Sequence, residues 1–109
     1  MTGSKTTDVL IIGAGAAGLS AAVAAHDSGA KVTVIEKGAK LGGTAAISGG
    51  IVWVPSNPSM QEKGISDSRE DALAYFRSLD HGEMSDDSLE AFVDEGANAL
   101  RFLTERGAL

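Results

Sequence analysis

The hydrophobic residues in the first third of the chain form two short runs on either side of an alanine-rich segment. The run Val9–Ile12 is too short for a helix and rich in β-branched residues, which is typical of a fully buried parallel strand. Residues 19–27 are dominated by alanine, the best helix former, and Gly29 suits a left-handed helix stop. A second strand is predicted over 31–35. The pattern therefore predicts a strand, a helix and a second strand within residues 8–36.

Apolar residues in the second half of the chain recur at helical spacing. Ser68 fits a helix N-cap, and an apolar stripe follows it as far as the break at residues 81–82. A second helix is predicted to start at Ser85. Its apolar stripe consists of Leu89, Phe92, Val93, Gly96, Leu100 and Leu103. We therefore predict a helical segment over 66–107, in which the acidic residues form a solvated face rather than catalytic carboxylates.

A glycine-rich loop and one further strand candidate connect these two parts. Residues 37–50 carry five glycines and few bulky side chains, which indicates backbone that approaches a ligand closely or adopts positive φ; a merely flexible loop is the alternative. Residues 51–54 are apolar and are the candidate for a third strand, with Trp53 expected in the core. Because a doubly wound nucleotide-binding domain needs at least three parallel strands, we predict an α/β fold with an incomplete parallel sheet.

Composition and charge narrow the possible partners. The 109 residues carry a formal net charge of −6 without a basic cluster, so nucleic acid and anionic membrane surfaces are poor partners. The chain has no cysteine, and its two histidines lack metal-ligand spacing, so no metal site is expected. The apolar stretch 9–25 follows Asp8 and contains three glycines, so it predicts neither a signal peptide nor a transmembrane segment. We expect a cytoplasmic protein.

Three glycines after the first predicted strand form a GxGxxG motif. Gly13 permits a tight turn out of the strand, Gly15 leaves room for a pyrophosphate near the backbone, and Gly18 lets the helix lie close to the sheet. The motif has the context that a dinucleotide site requires, because it stands between a strand and a helix and about 20 residues before an acid. The sequence therefore predicts a dinucleotide site at this turn.

Polar groups around the motif complete the predicted site. The N–H groups of Ala16, Ala17 and Gly18 at the helix N-terminus can bind phosphates without a basic side chain. Glu36, at the end of the second predicted strand, can accept hydrogen bonds from a ribose and disfavours the 2′-phosphate of NADP. No set of nucleophile, base and orienting residue can be assembled from the 109 residues. We therefore expect the chemistry to come from a bound cofactor or from residues beyond Leu109.

Two stretches carry a family resemblance, GAGAAGLSAAVAAHDSGAKVTVIEK over 13–37 and LGGTAAISGGIVWVPSN over 41–57. The chain resembles the N-terminus of FAD-dependent oxidoreductases related to the fumarate reductase and succinate dehydrogenase flavoproteins. The second stretch is most similar to the 3-ketosteroid dehydrogenase-like branch. The resemblance extends from Asp8 to Leu109 and covers only the N-terminal part of a full-length member.

The resemblance implies a role for each matching position. It implies that the FAD pyrophosphate is held by Gly13, Gly15, Ala16, Ala17 and Gly18. It implies that the adenosine ribose is held by Glu36, with Lys37 beside it. It implies that seven loop residues run along the pyrophosphate, the ribityl chain and one side of the flavin. These residues are Gly42, Gly43, Thr44, Ala45, Ser48, Gly49 and Gly50. Respiratory members attach FAD covalently through a His in this region; this sequence has none there, so FAD is expected to be non-covalent.

The resemblance further implies an activity, namely hydride transfer to or from a carbon–carbon bond next to a carbonyl. The substrate would be a small-molecule enone, a steroid or a dicarboxylate, and FAD would supply the redox chemistry. We expect residues 1–109 to be the N-terminal part of an FAD-binding domain, with a βαβ unit over 8–36 and a flavin loop over 37–50, inactive on its own. Two alternatives stay open: a stand-alone NAD- or FAD-binding module without catalysis, and an inactive truncated product.

Overall fold

The computed structural model describes residues 6–109 and divides into two compact units, one ending at Ile51 and the other spanning Val52–Leu109. The first unit contains β1 (Val9–Ile12), α1 (Ala16–Asp27), β2 (Val32–Ile35) and a 3₁₀ helix (Gly43–Ile47). The second unit contains α2 (Pro58–Glu62), α3 (Arg69–Leu79) and α4 (Asp86–Glu105). The described chain is thus α/β, with a two-stranded parallel sheet and four α-helices, which confirms the predicted class.

The first unit is the predicted strand–helix–strand element. β1 and β2 pair in parallel, with Val9 opposite Val32 and Ile12 opposite Ile35, and α1 connects them. The Gly13 N–H donates to the Ile35 carbonyl oxygen at 2.7 Å, so the pairing continues past the last residue of β1. Because parallel strands run in the same direction, the carboxyl ends of β1 and β2 lie at the same edge of the sheet.

The prediction that β1 is fully buried is wrong. Its side chains alternate between half-buried and exposed, and Ile12 is 81% exposed. Ile11 faces α1, since its Cγ2 atom lies 3.4 Å from a Cβ atom built on Gly18. Among the described residues, α1 packs on one face of the sheet, and the alternating exposure of both strands follows from this one-sided packing.

Residues 51–54 do not form the third strand that their composition suggested. Within the described chain this segment is irregular, and the sheet contains β1 and β2 alone. Val54 is buried in the second unit, where a Cβ atom built on Gly96 of α4 would lie 3.1 Å from the Val54 Cβ. The apolar character of Val54 therefore serves packing against a helix rather than strand pairing.

Trp53 and the segment after it also depart from expectation. The Trp53 side chain is 53% exposed rather than buried, with its ring centroid 6.5 Å from that of Phe76. The segment after Trp53, for which no element was predicted, contains the short helix α2, which has Pro58 at its first position. Asn57 caps it by accepting from the Met60 N–H at 3.1 Å. The Asn-Pro pair is itself a helix-start signal, because asparagine suits the N-cap and proline suits the first helical position.

The helices α3 and α4 form where they were predicted and pack on each other. Ser68 caps α3 by accepting from the Asp71 N–H at 3.0 Å, and Ser85 caps α4 by accepting from the Ser88 N–H at 3.2 Å. The core between them consists of Ala72, Leu73, Leu89 and Val93, with Phe76 packed against it. Among residues 6–109, no helix combines the length and the apolar character that a bilayer crossing needs.

Three acidic residues of α4 pair with two arginines of α3. The Arg69 guanidinium donates to Asp94 at 2.9 Å and to Glu90 at 3.1 Å. Arg77 donates to Asp86 at 2.9 Å and to Glu90 at 3.2 Å. These side chains are partly solvent-exposed, so the predicted solvated face is observed as a surface network of ion pairs. Hydrogen bonds from Arg69 lower the pKa of Asp94.

Candidate nucleotide-binding site

The turn between β1 and α1 requires glycine at two positions. Gly13 has φ of +99°, a conformation that residues with a side chain rarely adopt. A Cβ atom built on Gly18 would lie 1.9 Å from the Gly13 carbonyl oxygen, which is far inside van der Waals contact. The first turn of α1 therefore lies directly against the end of β1. Both roles agree with the sequence analysis.

Space and unpaired N–H groups meet at the N-terminus of α1. A Cβ atom built on Gly15 would meet no atom within 4 Å, so the backbone faces open space there. Gly15 precedes the helix without a side-chain cap, and the Leu19 N–H donates to the Gly15 carbonyl at 2.9 Å. The N–H groups of the residues between them have no carbonyl one turn earlier in the helix to bond. Those residues are Ala16, Ala17 and Gly18.

Glu36 stands beside this turn, at the carboxyl end of β2. Its Oε2 accepts from the Ala14 N–H at 2.8 Å, and its Oε1 accepts from the Gly38 N–H at 2.8 Å. These two hydrogen bonds, the one from Ala14 first, lower the pKa of the Glu36 carboxyl below its ordinary value. The group is therefore an anion at neutral pH. A carboxylate has about four lone-pair sites, so two remain for the hydroxyl groups of a ligand.

A cavity of about 370 Å³ lies at the same edge of the sheet, lined by Ile12, Gly13, Ile35, Glu36 and Lys37. Most of its surface is apolar, and its polar groups come from Glu36, Lys37 and the backbone. An apolar cleft with a few polar groups at the carboxyl ends of parallel strands is the usual ligand site of such folds. Glu36 and Lys37, which the sequence analysis placed side by side, both line it.

The middle of the glycine-rich loop lies against the first turn. Gly42 and Gly43 both have positive φ, +104° and +53°. The Gly42 N–H donates to the Ala14 carbonyl at 2.7 Å, and a Cβ atom built on Gly43 would lie 3.4 Å from the Gly15 Cα. The structure thus brings the middle of the loop next to the predicted phosphate turn. The two glycine-rich segments are therefore in direct contact.

The rest of the loop is exposed and stabilised locally. Thr44 and Ala45 lie in the 3₁₀ helix, and Ser48 ends it by donating its hydroxyl to the Ala45 carbonyl at 2.9 Å. The Ser48 oxygen also accepts from the Gly50 N–H at 3.2 Å, and Gly50 has φ of +72°. Gly49 is exposed beside them. The predicted residues of this part face solvent rather than the turn.

Sequence reasoning missed Ala14. It is completely buried, and both of its backbone polar groups are bonded, the N–H to Glu36 and the carbonyl to Gly42. Its place between two glycines of the motif gave no signal of this role, because both partners lie far away in the sequence. The arrangement as a whole offers main-chain donors for an anion and a carboxylate for hydroxyl groups, and these suit the two ends of a nucleotide diphosphate.

Several known proteins are similar to this chain in sequence. The profile of the FAD binding domain family matches residues 8–109. The chain is 42% identical over 102 residues to 4-oxocyclohexanecarboxylate 2-dehydrogenase of Sinomonas cyclohexanicum. This alignment covers 94% of this chain and 18% of that protein. The chain is also 33% identical over 109 residues to 3-oxosteroid 1-dehydrogenase of Mycolicibacterium smegmatis. This second alignment covers 100% of this chain and 19% of that protein.

A solved structure shows the same backbone. The crystal structure of 3-ketosteroid delta1-dehydrogenase from Sterolibacterium denitrificans, in complex with 1,4-androstadiene-3,17-dione, matches with a TM-score of 0.83 and 39% identity. The match covers 94% of this chain and 18% of that one. The chain thus spans less than a fifth of the length of these relatives. Since the profile matches nearly all of its residues, the chain belongs to the FAD binding domain family.

Proposed function

We propose that residues 1–109 form the N-terminal part of the FAD-binding domain of a flavin-dependent oxidoreductase. The enzyme would transfer hydride to or from a carbon–carbon bond next to a carbonyl. FAD, when bound, supplies the redox chemistry, and the residues of this chain bind and orient it. The βαβ unit over 8–36 takes the nucleotide half of FAD, and the loop over 37–50 takes the flavin half. Within the helical segment over 66–107, α3 and α4 pack on each other.

The observation that carries this proposal is the open turn beside Glu36. The N–H groups at the start of α1 lack helical partners, the space at Gly15 is open, and the Glu36 carboxylate accepts from Ala14 in the same turn. A pyrophosphate fits main-chain donors at a helix N-terminus, and a ribose diol fits an anionic acceptor. The pyrophosphate is an anion and suits the main-chain donors, whereas the ribose is neutral and suits the carboxylate. A dinucleotide carries both groups and therefore satisfies both parts of the site.

Each predicted residue then has a task. The pyrophosphate would be bound by Gly13, Gly15, Ala16, Ala17 and Gly18. Glu36 would accept from the adenosine ribose, with Lys37 at the wall of the same cavity. The residues that would run along the pyrophosphate, the ribityl chain and one side of the flavin are Gly42, Gly43, Thr44, Ala45, Ser48, Gly49 and Gly50. No His lies in residues 37–50, so we propose that FAD is held without a covalent bond.

The relatives suggest the substrate class. Two of them are named for the dehydrogenation of a ring ketone, an oxocyclohexanecarboxylate and a 3-oxosteroid. We propose a cyclic ketone that loses a hydride to FAD and a proton from its α and β ring carbons, so that the bond between these carbons becomes a double bond and the product is an enone. The residues that select and activate the substrate belong to parts of such an enzyme outside residues 1–109, because this chain contributes the cofactor-binding elements described above.

The dissociation constant for FAD, measured by equilibrium dialysis, tests the proposed site. The wild-type chain should bind FAD, and Glu36→Gln should weaken binding by about tenfold or more, because it removes the charge from the ribose acceptor. Glu62→Gln is the matched control, because Glu62 lies at the end of α2 in the other unit. Equal FAD affinity in the wild type and Glu36→Gln would contradict the ribose role, and no FAD binding by the wild type would contradict the proposal.

A further inference from the structure

Three segments of the first unit meet at one small residue. Ala14 is 0% exposed. Its N–H donates to Glu36 Oε2 at 2.8 Å, and its carbonyl accepts from the Gly42 N–H at 2.7 Å. The turn after β1, the end of β2 and the middle of the glycine-rich loop are thereby joined through the main chain of Ala14. Within the described part of the chain, Ala46, Ser48 and Gly50 form hydrogen bonds inside the loop, whereas the Gly42 N–H reaches outside it to Ala14.

The position of the loop depends on this junction. Gly42 and Gly43 have positive φ and lead directly into the 3₁₀ helix, so the bond to Ala14 sets where that helix begins. Gly43 also lies against the Gly15 Cα. A larger side chain at position 14 has no free space around it and must displace one of the three segments.

We infer that Ala14 is a positioning residue that couples Glu36 to the glycine-rich loop. The ribose side of the site thereby orients the flavin side, and this inference rests on the function proposed above. Ala14 acts through Glu36 and Gly42, because its side chain is buried and both of its backbone groups are already bonded. A change at Ala14 or at the Glu36 carboxylate should therefore loosen Gly42, although Glu36 and Gly42 share no recorded hydrogen bond within the described chain.

Residue-resolved hydrogen exchange of the 109-residue chain tests the coupling without any cofactor. The Gly42 N–H of the wild type should exchange slowly, and Ala14→Val should speed its exchange at least about tenfold. Ala24→Val is the matched control, since Ala24 is exposed on α1, and it should leave Gly42 unchanged. Ala14→Ser, with a side chain close to Ala in size, should stay near the wild type. If Ala14→Val does not fold, Glu36→Gln makes the same test, because it should also speed Gly42 exchange at least about tenfold.

A comparison of FAD with ADP separates positioning from simple damage to the turn. ADP carries the adenosine ribose and the diphosphate but no flavin. If Ala14 orients the flavin loop, Ala14→Val should weaken FAD about tenfold more than ADP, within the range usual for coupled sites. A variant that only distorts the turn would weaken both ligands by the same factor.

The outcomes separate the two proposals. Fast exchange of Gly42 in the wild type, unchanged Gly42 exchange in both Ala14→Val and Glu36→Gln, or equal losses of FAD and ADP affinity would each overturn the positioning role. Failure of the wild type to bind FAD or ADP contradicts the proposed function instead. The exchange rates of the Gly42 N–H then still decide whether Ala14 couples Glu36 to the glycine-rich loop.

Discussion

Gly18 and Gly13 are packed so closely that a Cβ atom on Gly18 would lie 1.9 Å from the Gly13 carbonyl oxygen. The neighbouring atom belongs to the backbone, so no side-chain movement can relieve the contact. Gly18→Ala should therefore push α1 away from β1 and lower the free energy of unfolding by about 2 kcal/mol or more. Urea unfolding followed by circular dichroism measures this loss. A Gly18→Ala protein as stable as the wild type would show that the turn is looser in solution.

Gly15→Ala should separate binding from folding. A Cβ atom at this position meets no atom within 4 Å, and Gly15 has a φ of −81° that alanine accepts readily. The added methyl group would nevertheless stand where a pyrophosphate is proposed to approach the α1 amides. We expect a free energy of unfolding within about 1 kcal/mol of the wild type, since alanine is a poorer N-cap than glycine, and an FAD affinity reduced by about tenfold. Unchanged FAD affinity in a folded Gly15→Ala protein would place the phosphate elsewhere.

The Glu36 carboxyl should make stability depend on pH in the acid range. Its pKa in the folded protein lies below that in the unfolded chain, about 4.3, because it accepts hydrogen bonds from Ala14 and Gly38. Its stabilising effect is therefore complete above that value and is lost as the pH falls through the folded-state pKa. Glu36→Gln should flatten the pH dependence of urea unfolding below about pH 5. Glu62→Gln should follow the wild-type profile, and identical profiles for all three proteins would refute the assignment.

Leu73 and Leu79 offer a matched pair on α3. Leu73 is 4% exposed in the core with α4, whereas Leu79 is 56% exposed. Leu73→Ala should lower the unfolding free energy by about 2–4 kcal/mol through lost burial and a residual cavity. Leu79→Ala should cost less than about 1 kcal/mol. Thermal and urea unfolding of both variants measure the difference, and equal losses would mean that α3 packs with another face in solution.

The ion pairs between α3 and α4 should stabilise the protein only at low salt. Arg69 bridges Glu90 and Asp94 on α4. Because these groups are partly exposed, Arg69→Gln should lower the melting temperature slightly in dilute buffer. The difference should vanish in 1 M NaCl, where the Debye length is about 3 Å. Arg101→Gln is the control, since Arg101 donates to Asn98 within α4. If the melting temperature of Arg69→Gln stays below that of the wild type at high salt, Arg69 stabilises the protein through packing rather than through charge.

Local signals in the sequence predicted the elements well. The two serine caps, the glycine spacing of the first turn and the helical stripe that contains Leu89 and Val93 all correspond to observed features. Each depends on residues within one or two turns of each other, where spacing along the chain determines geometry. Segment 51–54 shows the limit of this reasoning, because its apolar residues suit either a strand or a packing surface. Partner elements decide between the two.

The amino-acid sequence by itself determined the strand–glycine turn–helix–strand order and the presence of an acid at the end of the second strand. Those features follow from hydrophobic period and from the conformational freedom of glycine. Only the tertiary structure decided that Ile12 is exposed, that the Glu36 carboxylate already holds two backbone N–H groups, and that Ala14 joins three segments. Such contacts connect residues far apart along the chain, and their geometry exists only after β1 and β2 have paired and brought those segments together.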